Sequence, residues 1–156
     1  MLRRSKSKKK AQAPEAGSGP SGVIVASDDV DVRELLSRVV ARTGRDPEQV
    51  EDPAGAVAAL AAEPRLALLA LFGEGRSIDL IDDVRASEEP TVAAVPIIVV
   101  TEDDREAKAA TVAGADGSLT RPFHADELTG ELDTVLGRSA EDRAELRSVA
   151  GLSDEG

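Results

Sequence analysis

No cysteine, tryptophan or tyrosine occurs in the 156 residues, and there are only two phenylalanines and one histidine. Without cysteine, disulfides and thiolate metal sites are excluded, and the redox compartment is left unmarked. With so few aromatics, a core must be built from Ala, Val, Leu and Ile, which suits thin helices packed on a parallel sheet. Long apolar runs are lacking too: the longest, Leu66 to Phe72, is far too short to span a bilayer. Basic residues open the chain, but no apolar segment follows them. They therefore do not read as a signal peptide, nor Arg3-Arg4 as a twin-arginine signal. A soluble cytoplasmic protein is the expectation. The chain also has no Gly-rich phosphate loop, Ser/His/Asp triad or metal-ligand cluster, so an enzyme is not expected.

What is present is ordinary for one globular domain with tails: 41% hydrophobic and 31% charged residues. Charge is unevenly split. Six basic residues against Glu15 give residues 1–22 a charge of +5, so the chain's net charge of −11 puts −16 on residues 23–156. An acidic body argues against nucleic-acid binding by the body itself. Residues 1–22 run from a basic cluster into Ala, Pro, Gly and Ser without apolar periodicity, and read as a disordered arm. Such an arm is a tether or solubilising leader, or a contact for an acidic partner, a membrane surface or nucleic acid.

Order is expected from Val23. Val23-Ile24-Val25-Ala26 has the continuous apolar character of a strand covered on both faces. Val30 to Thr43 places Val32, Leu35, Leu36, Val39 and Val40 on one helical face, with Gly44 as the stop. Arg45 to Glu51 is a poor strand. Its Pro47 cannot donate to a ladder, so it belongs at a sheet edge. There follow a short helix over Ala54–Ala62, a strand over Leu66–Leu71, a Gly-containing loop and a helix over Ser77–Arg85. Val95–Val100 is the strongest strand, followed by a helix over Asp103–Val112, a strand over Gly117–Thr120 and an amphipathic helix over Ala125–Leu136. Five alternations of strand and helix point to a doubly wound parallel sheet. Residues 138–156 are polar and read as a fraying tail, although Ser139 with Asp142 has the pattern to cap a short helix.

The motifs narrow this further. VIVASDDVDVRELL (Val23–Leu36) resembles the opening of bacterial response-regulator receiver domains, the CheY-like family. LALLALFGEG (Leu66–Gly75), VPIIVVTEDD (Val95–Asp104) and AGADGSLTRPF (Ala113–Phe123) resemble its later motifs in the same order and spacing. The resemblance covers residues 23–137. It implies an α/β, flavodoxin-like fold with strand order 2-1-3-4-5, which independently puts the Pro47 strand at an edge.

It also implies a site for phosphoryl transfer to an aspartate at the carboxyl ends of the strands. Such a site needs a carboxylate nucleophile, a divalent cation normally supplied as Mg²⁺, a lysine and a hydroxyl. The family's two cation-holding acids fall on Ser27 and Asp28, with Asp29 just beyond. Asp28 or Asp29 equally suits a helix cap, and weak Mg²⁺ binding at Asp28 is all that one retained carboxylate suggests. The nucleophile position is Ala70, and Leu66 to Phe72 offers no acid to replace it. Thr101 takes the hydroxyl position, or caps the next helix. The lysine is Arg121, whose bond to Pro122 the resemblance implies to be cis, and Asp28 or Asp29 is its expected partner. An aromatic position that transmits the signal in the family is Ser118.

Four replacements point to a receiver-like signalling module that works without phosphorylation, through protein partners. The family's output face lies on the fourth helix, fifth strand and fifth helix, where Glu106, Thr120, His124 and Glu127 are candidates. The alternatives are a working receiver with a displaced acceptor, Glu74 or Asp28, and a nucleic-acid-associated protein acting through the arm. With 19 residues after Gly137, no DNA-binding output domain is expected there.

Overall fold

The structure is a computed structural model and describes residues 20–155; the basic arm expected over residues 1–22 lies mostly outside them. Among the described residues there are five strands and seven helices: β1 (Val23–Ser27), α1 (Val30–Arg42), β2 (Pro47–Val50), α2 (Pro53–Ala62), β3 (Ala67–Leu71) and α3 (Arg76–Arg85) come first. A single-turn α4 (Pro90–Ala93), β4 (Ile97–Thr101), α5 (Asp104–Ala113), β5 (Gly117–Thr120), α6 (Ala125–Leu136) and α7 (Ala140–Glu155) complete the chain. All strand pairs are parallel, in the order β2-β1-β3-β4-β5. This is the expected 2-1-3-4-5 arrangement, with the Pro47 strand at one edge, where its missing N–H breaks no ladder.

Side chains alternate along each strand, so the sheet has two apolar faces. Ile24, Ala26, Leu68, Ala70, Ile97 and Val99 face the layer of α2, α3 and α5, meeting Leu60, Leu80, Ile81, Val84 and Ala110. Val23, Val25, Leu69, Ile98 and Val100 face α1 and α6, meeting Leu36, Val39, Val40, Leu128, Leu132 and Val135. Small residues let the layers close. A Cβ on Gly117 would meet the Glu131 carboxylate and lie 2.9 Å from Val135 Cγ2, so α6 crosses β5 only because that position is glycine.

Two local expectations are corrected. Leu35 is 52% exposed rather than inward. At 100° per residue it sits about 85° from the centre of the stripe formed by Val32, Leu36, Val39 and Val40, on the flank of α1. Ala140–Glu155 form a helix, longer than the short one that the Ser139 and Asp142 pattern suggests, in place of a fraying tail. Ser139 Oγ accepts from Asp142 N at 3.0 Å, as its spacing suggested. The helix it starts is 16 residues long and packs in part against α5. Its docking side is charged: Arg143 and Arg147, one turn apart, reach the buried Asp116 at the start of β5. An apolar-periodicity reading does not register such a face.

Candidate functional site

The carboxyl ends of β1, β3, β4 and β5 carry the positions singled out in the sequence. Ser27 ends β1. Its buried Oγ accepts from Asp29 N at 3.2 Å, and its carbonyl accepts from Arg33 Nη1 at 2.8 Å. Asp29 is the cap of α1, accepting from Asp31 N (3.0 Å) and Val32 N (3.2 Å). That leaves Asp28 facing the site. Its Oδ2 lies 2.5 Å from Arg76 Nη2 at the start of α3. The hydrogen bond from that guanidinium holds the Asp28 carboxyl below the usual carboxylate range and raises Arg76 in turn. Arg76 is positioned from two further sides, with its charge 5.4 Å from the Phe72 ring centroid and Nε donating to Gly73 O at 3.2 Å.

Ala70 sits in mid-sheet, paired in register with Ala26 on β1 and Val99 on β4. It is fully buried within the apolar layer that includes Phe72 and Leu80. Glu74 is exposed in the tight turn after β3 at a φ of 59°. Ser77 Oγ braces that turn from inside, accepting from Phe72 N (2.9 Å) and donating to Phe72 O (3.1 Å).

On the other side of the site, Thr101 is buried and its hydroxyl turns to β5, 3.4 Å from Leu119 O and 3.3 Å from Thr120 Oγ1. The cap of α5 is Asp103, accepting from Glu106 N at 2.9 Å, so the capping role considered for Thr101 is corrected. Arg121 precedes Pro122 through a cis bond, as the resemblance implied. Its expected pairing with Asp28 or Asp29 is also corrected. Arg121 Nε lies 3.5 Å from Glu102 Oε2 at the end of the adjacent β4, both side chains well exposed. Ser118 is half-buried and its N–H donates to Glu131 Oε2 at 3.0 Å. Of the output-face candidates, Glu106 accepts from Glu102 N at 2.8 Å and Glu127 from His124 N at 2.7 Å, so both act as local caps.

A divalent cation does not fit these residues. A hard cation needs several oxygen ligands. Here the Ser27 hydroxyl is taken by Asp29 N, Ala70 offers a methyl, and the one facing carboxylate is already held by a guanidinium. Among the described residues no group of three His, Cys, Asp or Glu side chains is disposed to hold a metal ion. Arg76, which sequence reading passed over, supplies the positive charge. Nothing in its local sequence marks it, because the contact depends on β1 and β3 being neighbours.

Beside this cluster, on the α1–α6 flank, opens an apolar groove of about 490 Å³. Its lining includes Val32, Leu35, Leu36, Leu71, Pro122 and Phe123, with Glu102 and Arg121 at the rim.

A doubly wound five-stranded sheet with its polar cluster at the strand carboxyl ends defines the flavodoxin-like class of α/β domains. Comparison with known proteins shows what the chain resembles. The chain is 30% identical over 132 residues to the DNA-binding response regulator MtrA of Mycobacterium tuberculosis, covering 82% of this chain and 56% of that protein. It is 27% identical over 139 residues to a CpxR homolog, a transcriptional regulatory protein of Haemophilus influenzae, covering 87% and 59%. The fold matches the receiver domain of the sensor histidine kinase PA1611 from Pseudomonas aeruginosa, solved with magnesium in its active-site cleft. That match has a TM-score of 0.66 at 22% identity, covering 77% of this chain and all of that one. It also matches the chemotaxis response regulator CheY4 of Vibrio cholerae, with a TM-score of 0.66 at 19% identity, covering 74% and 98%. No family model matches the chain. The domain has the CheY-like receiver fold of these neighbours, and its sequence is similar to response regulators. The chain spans little more than half the length of the curated relatives it matches. No helix among the described residues is long and apolar enough to cross a membrane.

Proposed function

We propose that this domain is a pseudo-receiver, a non-catalytic signalling module that acts by binding protein partners and is not switched by aspartyl phosphate. The observation that carries this reading is the pairing of a fully buried Ala70 at the acceptor position with an Asp28 already neutralised by Arg76. A phosphoryl group arriving there would meet no carboxylate nucleophile and no bridging cation. Glu74, the nearest downstream acid, stands in the exposed turn outside the sheet.

Partner binding fits two surfaces. The face of α5, β5 and α6 is the family's output face, and α7 now lies along its α5 side. The groove between α1 and the β5–α6 loop presents Leu35, which is 52% exposed. Glu102 and Arg121 are its charged lining residues. An apolar helix stripe on a partner protein is complementary to that surface.

Incubation with a small phosphodonor and Mg²⁺, followed by intact-mass measurement, tests the reading. No gain in mass is expected. A stoichiometric gain of one phosphoryl group would overturn it, and peptide mapping would then show whether Glu74 or Asp28 accepts.

A further inference from the structure

A second polar cluster lies at the amino end of β5, across the sheet from Ala70. The Asp116 side chain is 1% exposed and receives Arg85 Nη2 at 2.7 Å and Arg147 Nη1 at 2.5 Å, with Arg143 Nε at 3.9 Å. Its Oδ2 also accepts from Ile97 N at 2.9 Å, so the carboxylate is saturated. Arg85 spends its other donors on the carbonyls of Ala93, Val95 and Gly114, and Arg143 donates to those of Arg138 and Ala94. Three mostly buried guanidinium groups therefore face a single carboxylate, leaving a surplus of positive charge in a poorly hydrated seam. Charge buried without a partner is costly. One donor is openly unmet: Arg143 Nε is buried with no hydrogen-bond partner.

Arg143 also lines a space. Thr111, Ala115, Asp116, Arg138, Arg143 and Arg147 are among the residues lining a cavity of about 50 Å³ between α5 and α7. A single water needs roughly 15 Å³ by the same measure, so the space admits a larger solute of a few heavy atoms. Arg138 makes no ion pair among the described residues.

We propose that this cavity binds a compact phosphate-type oxyanion, held by Arg138, Arg143 and Arg147. Four of the thirteen lysines and arginines after residue 22 gather here in a body that is otherwise strongly acidic. Tetrahedral oxyanions suit the forked donors of arginine. The Arg85 guanidinium, pulled down to about 10 by burial and by its cationic neighbours, reflects the same surplus. Outside the cavity, a groove of about 350 Å³ carries Asp142 and Glu145 beside Arg138, which disfavours a long polyanion and leaves the inner space to a single head group. Because Arg143 and Arg147 belong to α7 and Arg138 to the link before it, the anion would offset the repulsion among these arginines and so hold α7 in place. The docking of α7 then depends on anion concentration.

The test uses the full chain at constant ionic strength, titrated with orthophosphate and separately with phosphoserine, with chloride as control. Binding is read by calorimetry and α7 by amide hydrogen exchange. Saturable one-to-one binding with slower exchange across α7 is expected, and Arg138→Gln and Arg147→Gln should each weaken it at least tenfold. Comparable affinity for phosphoserine assigns the site to phosphomonoesters; a clear preference for orthophosphate assigns it to the free ion. The proposal is overturned if chloride acts equally, if no saturation appears, or if Arg138→Gln binds unchanged. The last result would place the affinity elsewhere, for example on the basic residues of the arm, which that variant leaves intact.

Discussion

Exchanging Asp116 for asparagine removes one charge and almost no volume, so no cavity forms, although one of the two acceptor oxygens becomes an NH2 group facing N–H donors. Arg85, Arg143 and Arg147, with side chains 14%, 10% and 20% exposed, lose their common counter-charge. Removing one partner of a buried pair costs about 3–5 kcal/mol, whereas an exposed pair is worth about 0–1 kcal/mol. Arg85 and Arg143 keep their carbonyl bonds and Arg147 can turn partly to solvent. The expected loss is therefore near the lower end, about 3 kcal/mol. With a urea m-value of about 1.5 kcal/mol/M, the unfolding midpoint should fall by about 2 M without a change in slope. The buffer should be free of phosphate, so that no bound anion interferes. Amide exchange across α7 should rise together with that loss. A loss below about 1 kcal/mol, with α7 still protected, would refute the reasoning, because Asp116 would then behave as a surface ion pair.

Ala70→Asp should not by itself give rapid phosphorylation by a small phosphodonor with Mg²⁺, because Ser27, Arg121 and the Asp28–Arg76 pair are unchanged; fast stoichiometric mass gain would contradict this. Arg76→Gln should raise the Asp28 pKa towards the ordinary carboxylate value, as read by NMR titration. Since the folded Asp28 pKa is depressed, the stability from that pairing is present above the unfolded value of about 3.9 and disappears as pH falls through the folded one. The stability difference between wild type and Arg76→Gln should therefore be flat near neutrality and close in acid; a difference that instead grew on acidification would contradict it. Leu68→Ala, at a fully buried position in β3, should cost about 2–5 kcal/mol in equilibrium unfolding. Leu35→Glu should leave the unfolding midpoint nearly unchanged while weakening capture of a partner that uses the α1 groove; unaltered capture would remove the groove from the interface.

The strands were the most legible part of the chain, because β1, β3 and β4 are buried on both faces and so are continuous apolar runs. Pro47 was enough to put β2 at an edge, since proline's missing donor is a constraint of the ladder itself. Leu35 was misjudged because an apolar residue on the flank of a stripe has the same letter as one at its centre. The length of α7 was missed for a deeper reason. Its docking depends on Arg143 and Arg147 meeting Asp116, and none of these residues contributes to a hydrophobic period.

The site shows the same division between charges that can be counted and pairings that cannot. The sequence contained Asp28, Arg76 and Arg121, but the strand order decides which of them meet. From β1 to β5 is three strand intervals, about 14 Å at the usual spacing, while β3 is one interval from β1. Arg121, leaving β5, therefore meets Glu102 at the end of β4, and Arg76, entering after β3, meets Asp28. A receiver site normally has a dissolved divalent cation beside that acid. Here the positive charge is carried by a side chain of the same fold, braced by Phe72 and Gly73. The guanidinium is held beside the acid by the fold itself, so a dissolved cation must compete with it for Asp28. Restoring a carboxylate at residue 70 would then give the site a nucleophile while the acid that should share its cation remains committed to Arg76. On this account Arg76→Gln combined with Ala70→Asp, rather than either change alone, is the smallest step back towards cation binding.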